Sequence, residues 1–142
     1  MPVRARGIDL DTFNVASAAI AANVNITGTS SAAATTVLST GVFTVDNPGT
    51  FLVTVFTPVL TRGTTNLDLE LWDGATLLTT LMPHATAAVP ILPVTMRVLV
   101  TLAAGGHNLA VKGFVDAGTG VFGAGAGTTG NPPNAFITVQ PV

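Results

Sequence analysis

The sequence predicts a single all-β domain, and three observations carry the prediction. Thr and Val are abundant, turn motifs recur about every 8 to 12 residues, and apolar residues alternate with polar ones between the turns. The length of 142 residues is close to the commonest size of a single domain and is enough to bury a core. We therefore expect a sandwich or a barrel of antiparallel strands.

Turn motifs divide the chain into candidate strands. They are DNPG at 46–49, RGT at 62–64, DG at 73–74 and AGG at 104–106. In the first, Pro48 presets φ and Gly49 can adopt a positive φ. The stretch GVFTVDNPGTFLVTVFTPVL at 41–60 therefore predicts a hairpin, with strands at 42–46 and 50–60 on either side of the turn.

Alternation assigns the remaining strands and their faces. In NLDLELW (66–72), Leu67, Leu69 and Leu71 share one face, and Asp68, Glu70 and Trp72 share the other. Strands are also predicted at 75–82, 95–102, 107–115 and 134–140, with a proline-bearing loop at 83–93 and a glycine-rich loop at 117–133. Only VASAAIAANV (15–24) has enough Ala for a helix, and we keep a helix there as the alternative to a strand.

The charge content is low and excludes several functions. Charged residues make up 8% of the chain, against about 25% for an ordinary soluble domain, and the net charge is −2. The five cationic residues are scattered, so we expect no nucleic-acid partner. No apolar run reaches the roughly 18 residues of a membrane span, and the N-terminus lacks the apolar segment of a signal peptide. We therefore expect no membrane partner.

Candidate metal ligands are few. Asp68, Glu70 and Asp73 could offer oxygen ligands to a hard cation, but alternation accounts for the first two as a solvent face and the turn accounts for the third. His84 and His107 lack ligand partners at metal-site spacing, and the chain has no Cys. We therefore predict no metal and no cofactor.

Catalytic motifs are similarly weak. The serines are Ser17, Ser30, Ser31 and Ser39, and none stands in a nucleophile-elbow context. GTGVFG at 118–123 matches the dinucleotide-binding glycine pattern, yet no helix can follow it through AGAGTTGNPP. We predict that the protein is not an enzyme, with a hydrolase as a distant alternative.

Residues 41–142 carry a family resemblance. GVFTVDNPGTFLVTVFT, LDLELWDGATLL, VLVTLAAGGHNLAVKG and the closing NAFITVQPV follow one another in the order found in C1q/TNF-like jelly-roll domains, which the chain resembles. The chain departs from that family in having no Tyr and a single Trp. The resemblance implies a jelly-roll β-sandwich that assembles as a homotrimer about an apolar axis, as in the capsid decoration (cement) proteins of tailed viruses.

A trimer would explain the missing charges, because each subunit would bury one face against its neighbours. The residues expected at that interface are Phe51, Val53, Phe56 and Phe136. We divide the chain into an N-terminal arm or interface segment (1–30) and the jelly roll (31–142). In the arm, Arg4 and Arg6 could bind carboxylates, and Asp9 and Asp11 could bind basic groups.

The functional hypothesis is a non-enzymatic virion protein on the capsid surface, with a second copy of itself and the major capsid protein as partners. The alternative is a C1q-like recognition module, or a head- or tail-fibre tip, that binds a protein or a carbohydrate receptor. Such a module would need exposed aromatic side chains, and Trp72 and Phe122 are the candidates.

Overall fold

A computed structural model describes residues 4–5, 8–9, 14–61, 66–82, 92–125 and 132–142. These residues contain fourteen strands and one 3-10 turn, Ser31–Ala33. The strands are β1 (Arg4–Ala5), β2 (Ile8–Asp9), β3 (Ala16–Ile20), β4 (Val24–Ile26), β5 (Thr35–Ser39), β6 (Phe43–Val45), β7 (Gly49–Thr61), β8 (Leu67–Asp73), β9 (Thr76–Met82), β10 (Leu92–Leu102), β11 (Gly105–His107), β12 (Leu109–Val115), β13 (Gly120–Gly123) and β14 (Ala135–Pro141). The all-β prediction is confirmed, and residues 16–20 and 24–26 form strands where a helix was the alternative.

Two antiparallel sheets with jelly-roll connectivity contain most of the strands, and β1–β2 and β6–β11 form two separate two-stranded sheets. The large sheet runs β3-β14-β7-β10, with β13 and β4 beside the C-terminal end of β7. The small sheet runs β5-β12-β8-β9. If the eight strands of these two rows are numbered in chain order, the large sheet reads 1-8-3-6 and the small sheet 2-7-4-5. This order is that of two interlocked Greek keys, which is the jelly roll that the resemblance implied.

Pro58 explains why β7 changes partners along its length. β14 pairs with β7 from Pro141↔Phe51 to Phe136↔Phe56, and β13 pairs with it from Gly123↔Val59 onward. Proline has no N–H to donate, so the ladder breaks at this position. The neighbouring hydroxyl of Thr57, which is fully buried, lies 2.7 Å from the Val59 carbonyl oxygen and 2.9 Å from that of Gly123. The hydroxyl thereby joins β7 to β13 at the break.

The core lies between the sheets and is filled by alternate residues of each strand. Leu67, Leu69 and Leu71 of β8 are completely buried, as the alternation predicted. Similar rows come from the other strands: Phe51, Val53 and Val55; Met96, Val100 and Leu102; Leu109, Val111 and Val115; and Ile137 and Val139. At Gly113 the sheets approach so closely that an added Cβ would lie 2.9 Å from Ile26 Cδ1.

The hairpin predicted at 41–60 is wrong. β6 pairs with β11, whereas β7 pairs with β10, β14 and β13, so the two strands on either side of the DNPG turn belong to different sheets. Gly49 is the first residue of β7 and is not among the glycines with positive φ. The hairpin predicted at Asp73-Gly74 is confirmed, since β8 pairs with β9 and Gly74 has φ 56°.

Two further boundaries differ from the sequence prediction. The segment 117–133 is not a loop throughout, because β13 lies within it and Phe122 is fully buried. The division at residue 30 does not follow the strand pairing either. β3 pairs with β14, β4 pairs with β13, and Ile26 is fully buried, so residues 16–26 belong to the sandwich.

Among the described residues, no helix has the length and apolarity needed to cross a membrane.

Candidate interaction surface

The outer face of the large sheet is a continuous surface built from four strands. Because paired residues in antiparallel strands point to the same side, the register defines cross-strand rows on this face. One row contains Ala19, Phe136, Phe56 and Thr95; the next contains Ser17, Thr138, Thr54 and Arg97; a third contains Gln140, Leu52 and Leu99.

Apolar side chains are spread over this face. The rings of Phe56 and Phe136 stack with their centroids 5.3 Å apart. Leu99 is 61% exposed on the edge strand β10. Val15 and Val142, which directly precede β3 and follow β14, are 38% and 73% exposed. Most of the large hydrophobic side chains that are exposed in the described residues therefore lie on this surface or at its end.

Charge is almost absent from the same sheet. Arg97 is the single charged residue in the six strands β3, β4, β7, β10, β13 and β14, whereas the small sheet carries Asp68, Glu70, Asp73 and Lys112. Threonine and serine fill most of the other outward positions, together with Ala19 and Gln140. Depletion of charged residues with retention of aromatic ones is typical of the core of a protein–protein interface.

The predicted interface residues fall on both sides of the large sheet. Phe56 and Phe136 lie on the outer face, as an interface requires. Phe51 and Val53 point into the core, where they are 5% and 0% exposed within a single chain. These two cannot contact a neighbouring subunit without unfolding the sandwich. Leu99 was missed, although its place between the inward-facing Val98 and Val100 already directed it outward.

Within residues 1–13, the structure describes only two short strands. β1 and β2 pair in register, with Arg4 opposite Asp9 and Ala5 opposite Ile8. The predicted partner-binding residues Arg6 and Asp11 lie outside the described residues. The binding role of the arm remains a prediction.

Glu70 is the residue that departs most from its expected environment. It was predicted to face solvent on β8, yet it is only 5% exposed. The 3-10 turn at 31–33 accounts for part of this burial, because Ser31 Oγ donates to Glu70 Oε2 at 2.9 Å. Trp72 Nε1 donates to the same oxygen at 3.0 Å. A buried carboxylate is stable only when it is hydrogen-bonded, and these two donors supply that need.

The same cluster limits what Trp72 can bind. Its indole N–H is bonded to Glu70, and Lys112 Nζ lies 4.3 Å from the ring centroid, so a cation occupies one face of the ring. Phe122 is in the core. The two aromatic side chains proposed for a recognition site therefore do not form an open stacking platform.

The acidic residues of β8 do not converge on a cation. Glu70 is held by Ser31 and Trp72, and Asp73 is held by His107 and by the backbone N–H of Asn108. In the part of the chain that the structure describes, no group of three or more His, Cys, Asp or Glu side chains could hold a metal ion. His84 lies outside that part.

The His107–Asp73 pair has the geometry of an acid–base dyad but lacks a nucleophile. His107 Nδ1 lies 2.6 Å from Asp73 Oδ2, and His107 Nε2 lies 2.9 Å from the carbonyl oxygen of Ala103. In a catalytic triad the second nitrogen faces a hydroxyl or a thiol. Here it faces a backbone acceptor, and the nearby Ser39 hydroxyl donates instead to Asn108 Oδ1.

No protein-family model matches the chain, and neither does any curated protein. Among solved structures, the chain is similar to a carbohydrate-binding module from Cellvibrio mixtus lichenase 5A in complex with cellotriose, at 17% identity and a TM-score of 0.46, over 91% of this chain and 98% of that one. It is also similar to the globular domain of zebrafish complement 1qA protein, at 21% identity and a TM-score of 0.39, over 72% and 70% of the two chains.

Proposed function

We propose that the protein is a non-catalytic assembly module that associates with copies of itself through the outer face of the large sheet. The observation that carries the proposal is the distribution of charge: one charged residue in the six strands of that sheet and four in the small sheet. A lone Arg97 among hydroxyl-bearing neighbours gives little repulsion between identical faces. The small sheet, with its charged side chains, remains in contact with water.

Self-association is favoured over an unlike partner because the face needs no charge complement. A surface that carries apolar groups in several rows can meet an identical surface with Arg97, on the edge strand β10, as the one charge to accommodate. It also leaves β3 and β10, the outer strands of the four-stranded row, close to a neighbouring subunit, and coverage of sheet edges protects them from unwanted pairing. The resemblance to C1q/TNF-like domains implies that three copies assemble.

The biological setting that we propose is the surface of a viral capsid, where trimers act as a decoration protein. In that setting the N-terminal segment contacts the major capsid protein and the sandwich remains folded on its own. The alternative is a recognition module that binds a protein or carbohydrate receptor through its loops. The burial of Phe122 and the occupied ring of Trp72 make that alternative the weaker one.

The proposed interface is tested by inserting a charge into it. Thr138→Lys adds an ammonium group at the middle of the outer face, and Thr36→Lys adds the same group to the small sheet, where Thr36 is exposed. Sedimentation velocity should give a trimer for the original chain and for Thr36→Lys, and a monomer for Thr138→Lys. A monomeric original chain would overturn the proposal, as would a trimer that tolerates Thr138→Lys.

The capsid setting needs a separate experiment. Quantitative mass spectrometry of purified particles should find the protein in hundreds of copies, whereas a fibre tip would be present in a handful. Deletion of residues 1–12 should leave the trimer intact in solution and remove it from the particles. Full occupancy of the truncated protein on particles would reject the role of the N-terminal segment without affecting the interface proposal.

A further inference from the structure

His107 has hydrogen-bond acceptors at both ring nitrogens. Nδ1 lies 2.6 Å from an Asp73 carboxylate oxygen, and Nε2 lies 2.9 Å from the Ala103 carbonyl oxygen. Neither acceptor carries a hydrogen, and a neutral imidazole has a single N–H. The neutral ring can therefore satisfy only one of the two contacts, whereas the imidazolium ion donates to both.

These contacts join the ends of several strands at one end of the sandwich. Asp73 is the last residue of β8, Ala103 directly follows β10, and His107 ends β11. The other oxygen of Asp73 accepts the backbone N–H of Asn108 at 3.0 Å, just before β12. Because β11 pairs with β6, the histidine also links β6 to the small sheet, and its ring centroid lies 5.9 Å from that of Phe43.

We propose that His107 is a protonation-dependent clasp. As an imidazolium ion it holds the turn between β10 and β11 against the end of β8, and it releases that turn when it loses a proton. The histidine side chain is only 10% exposed, and its contact with the Ala103 carbonyl oxygen lies at the exposed turn. The released segment includes the β6–β11 pair and the adjoining Val42, which is already 82% exposed.

The charged groups around the clasp are few. On β8, Asp73 contacts the ring, while Glu70 is engaged by Ser31 and Trp72. Asp46 lies beyond the Val45↔Gly105 pair at the far end of β6, and Lys112 on β12 is held at the Trp72 ring. No charged side chain lies in the turn at 103–106, nor in residues 35–40, which are β5 and the residue that follows it. Asp73 is thus the group that controls the proton on His107.

The direction of the pH dependence follows from this pairing. The hydrogen bond to Asp73 raises the pKa of His107 above its ordinary value of 6.5. Burial alone would raise the pKa of Asp73, but hydrogen bonds from His107 and Asn108 outweigh it and hold that pKa below the ordinary 3.8. The histidine contribution to stability is complete below pH 6.5 and is lost as the pH rises through the raised pKa. The aspartate contribution is present above pH 3.8 and is lost as the pH falls through the lowered pKa.

The experiment is an NMR titration of the unmodified chain with 15N-labelled histidine, joined to thermal unfolding of two variants. The His107 ring nitrogens should show a protonated ring that persists above pH 6.5. Amide exchange in β6 and β11, corrected for the intrinsic rise of the exchange rate with pH, should show protection that falls as the ring loses its proton. His107→Asn should lower the melting temperature most near about pH 6 and less near about pH 9. His84→Asn changes the only other histidine and serves as the matched control.

Two results would overturn the clasp. One is a His107 ring that deprotonates at or below pH 6.5, which the titration of the unmodified chain decides even if a variant fails to fold. The other is a melting-temperature difference between the original chain and His107→Asn that does not vary with pH. Neither result depends on whether the chain forms trimers, because every atom of the clasp belongs to one chain.

Discussion

Leu99→Thr should weaken self-association without disturbing the fold of the single chain. Leu99 is 61% exposed, and full burial of a Leu side chain contributes about 1.5 to 3 kcal/mol, so covering it contributes about 1.4 kcal/mol at each interface. Threonine has the β-branched shape that strands prefer and lacks most of that apolar area. In a trimer with three equivalent interfaces, the loss is about 4 kcal/mol, or about 1,000-fold in the dissociation constant. The concentration at half-dissociation varies as the square root of that constant and should rise about 30-fold.

Sedimentation equilibrium over a dilution series measures this shift directly. Leu77→Thr is the matched control, because Leu77 is 44% exposed on β9 of the small sheet, outside the proposed interface. Both variants should unfold at nearly the same denaturant concentration as the original chain when all are monomeric. If Leu77→Thr weakens assembly as much as Leu99→Thr does, or if Leu99→Thr leaves it unchanged, the outer face of the large sheet is not the interface.

Three further predictions concern the core, the buried carboxylate and the forces of assembly. Phe122→Ala should lower the free energy of unfolding by about 3 to 5 kcal/mol in urea titrations, because the ring is completely buried; a cost under about 1 kcal/mol would contradict its place in the core. Glu70→Leu should lower the free energy of unfolding by about 2 to 4 kcal/mol, because it leaves the Ser31 and Trp72 donors unpaired, and Glu70→Gln should lower it by less. Unfolding of both variants can be followed by the fluorescence of the single Trp, and equal losses of stability would refute the hydrogen-bond account. Added salt that shortens the Debye length from about 10 to about 3 Å should change the association constant little, because Arg97 is the lone charge on the large sheet. A steep salt dependence would indicate an electrostatic interface.

Alternation in the sequence predicted the core because it depends only on local geometry. Leu67, Leu69 and Leu71 lie on one side of β8 whatever strand pairs with it, and the same holds for Leu109, Val111 and Val115 of β12. Predictions of this kind required no knowledge of the partner strands. The prediction is confirmed for β8, whose Leu67, Leu69 and Leu71 are all buried.

Strand pairing was harder to predict because it depends on residues distant in the chain. The DNPG motif correctly marked the end of β6 after Val45, but a turn motif does not determine which strands pair on either side of it. β6 pairs with residues 105–107, about sixty positions away, and the partners of β7 include β14 near the C-terminus. The GVFG segment was assigned to a loop for a similar reason, since its β-structure depends on pairing with β4 and β7.

The burial of Glu70 illustrates what period-2 patterns omit. Alternation correctly placed this residue on the outer face of β8, but an outer face is not necessarily an exposed one. The 3-10 turn at 31–33 lies over the carboxylate, and its contact through Ser31 spans thirty-nine positions in sequence. The detectable signal was the lone Glu of the chain, flanked by Leu69 and Leu71 with Trp72 two positions on.

The two outer faces of the sandwich differ in their charge and in their apolar side chains. The small sheet carries charged side chains and a cation above its Trp72 ring, as a face in contact with water does. The large sheet has outward threonines, stacked Phe56 and Phe136, and exposed Leu99, with one arginine. The few charged side chains are therefore distributed unevenly between the two sheets, and the large sheet is the one with little charge. The proposed assembly through the large sheet accounts for this segregation, because an interface core is depleted in charged residues and retains apolar ones.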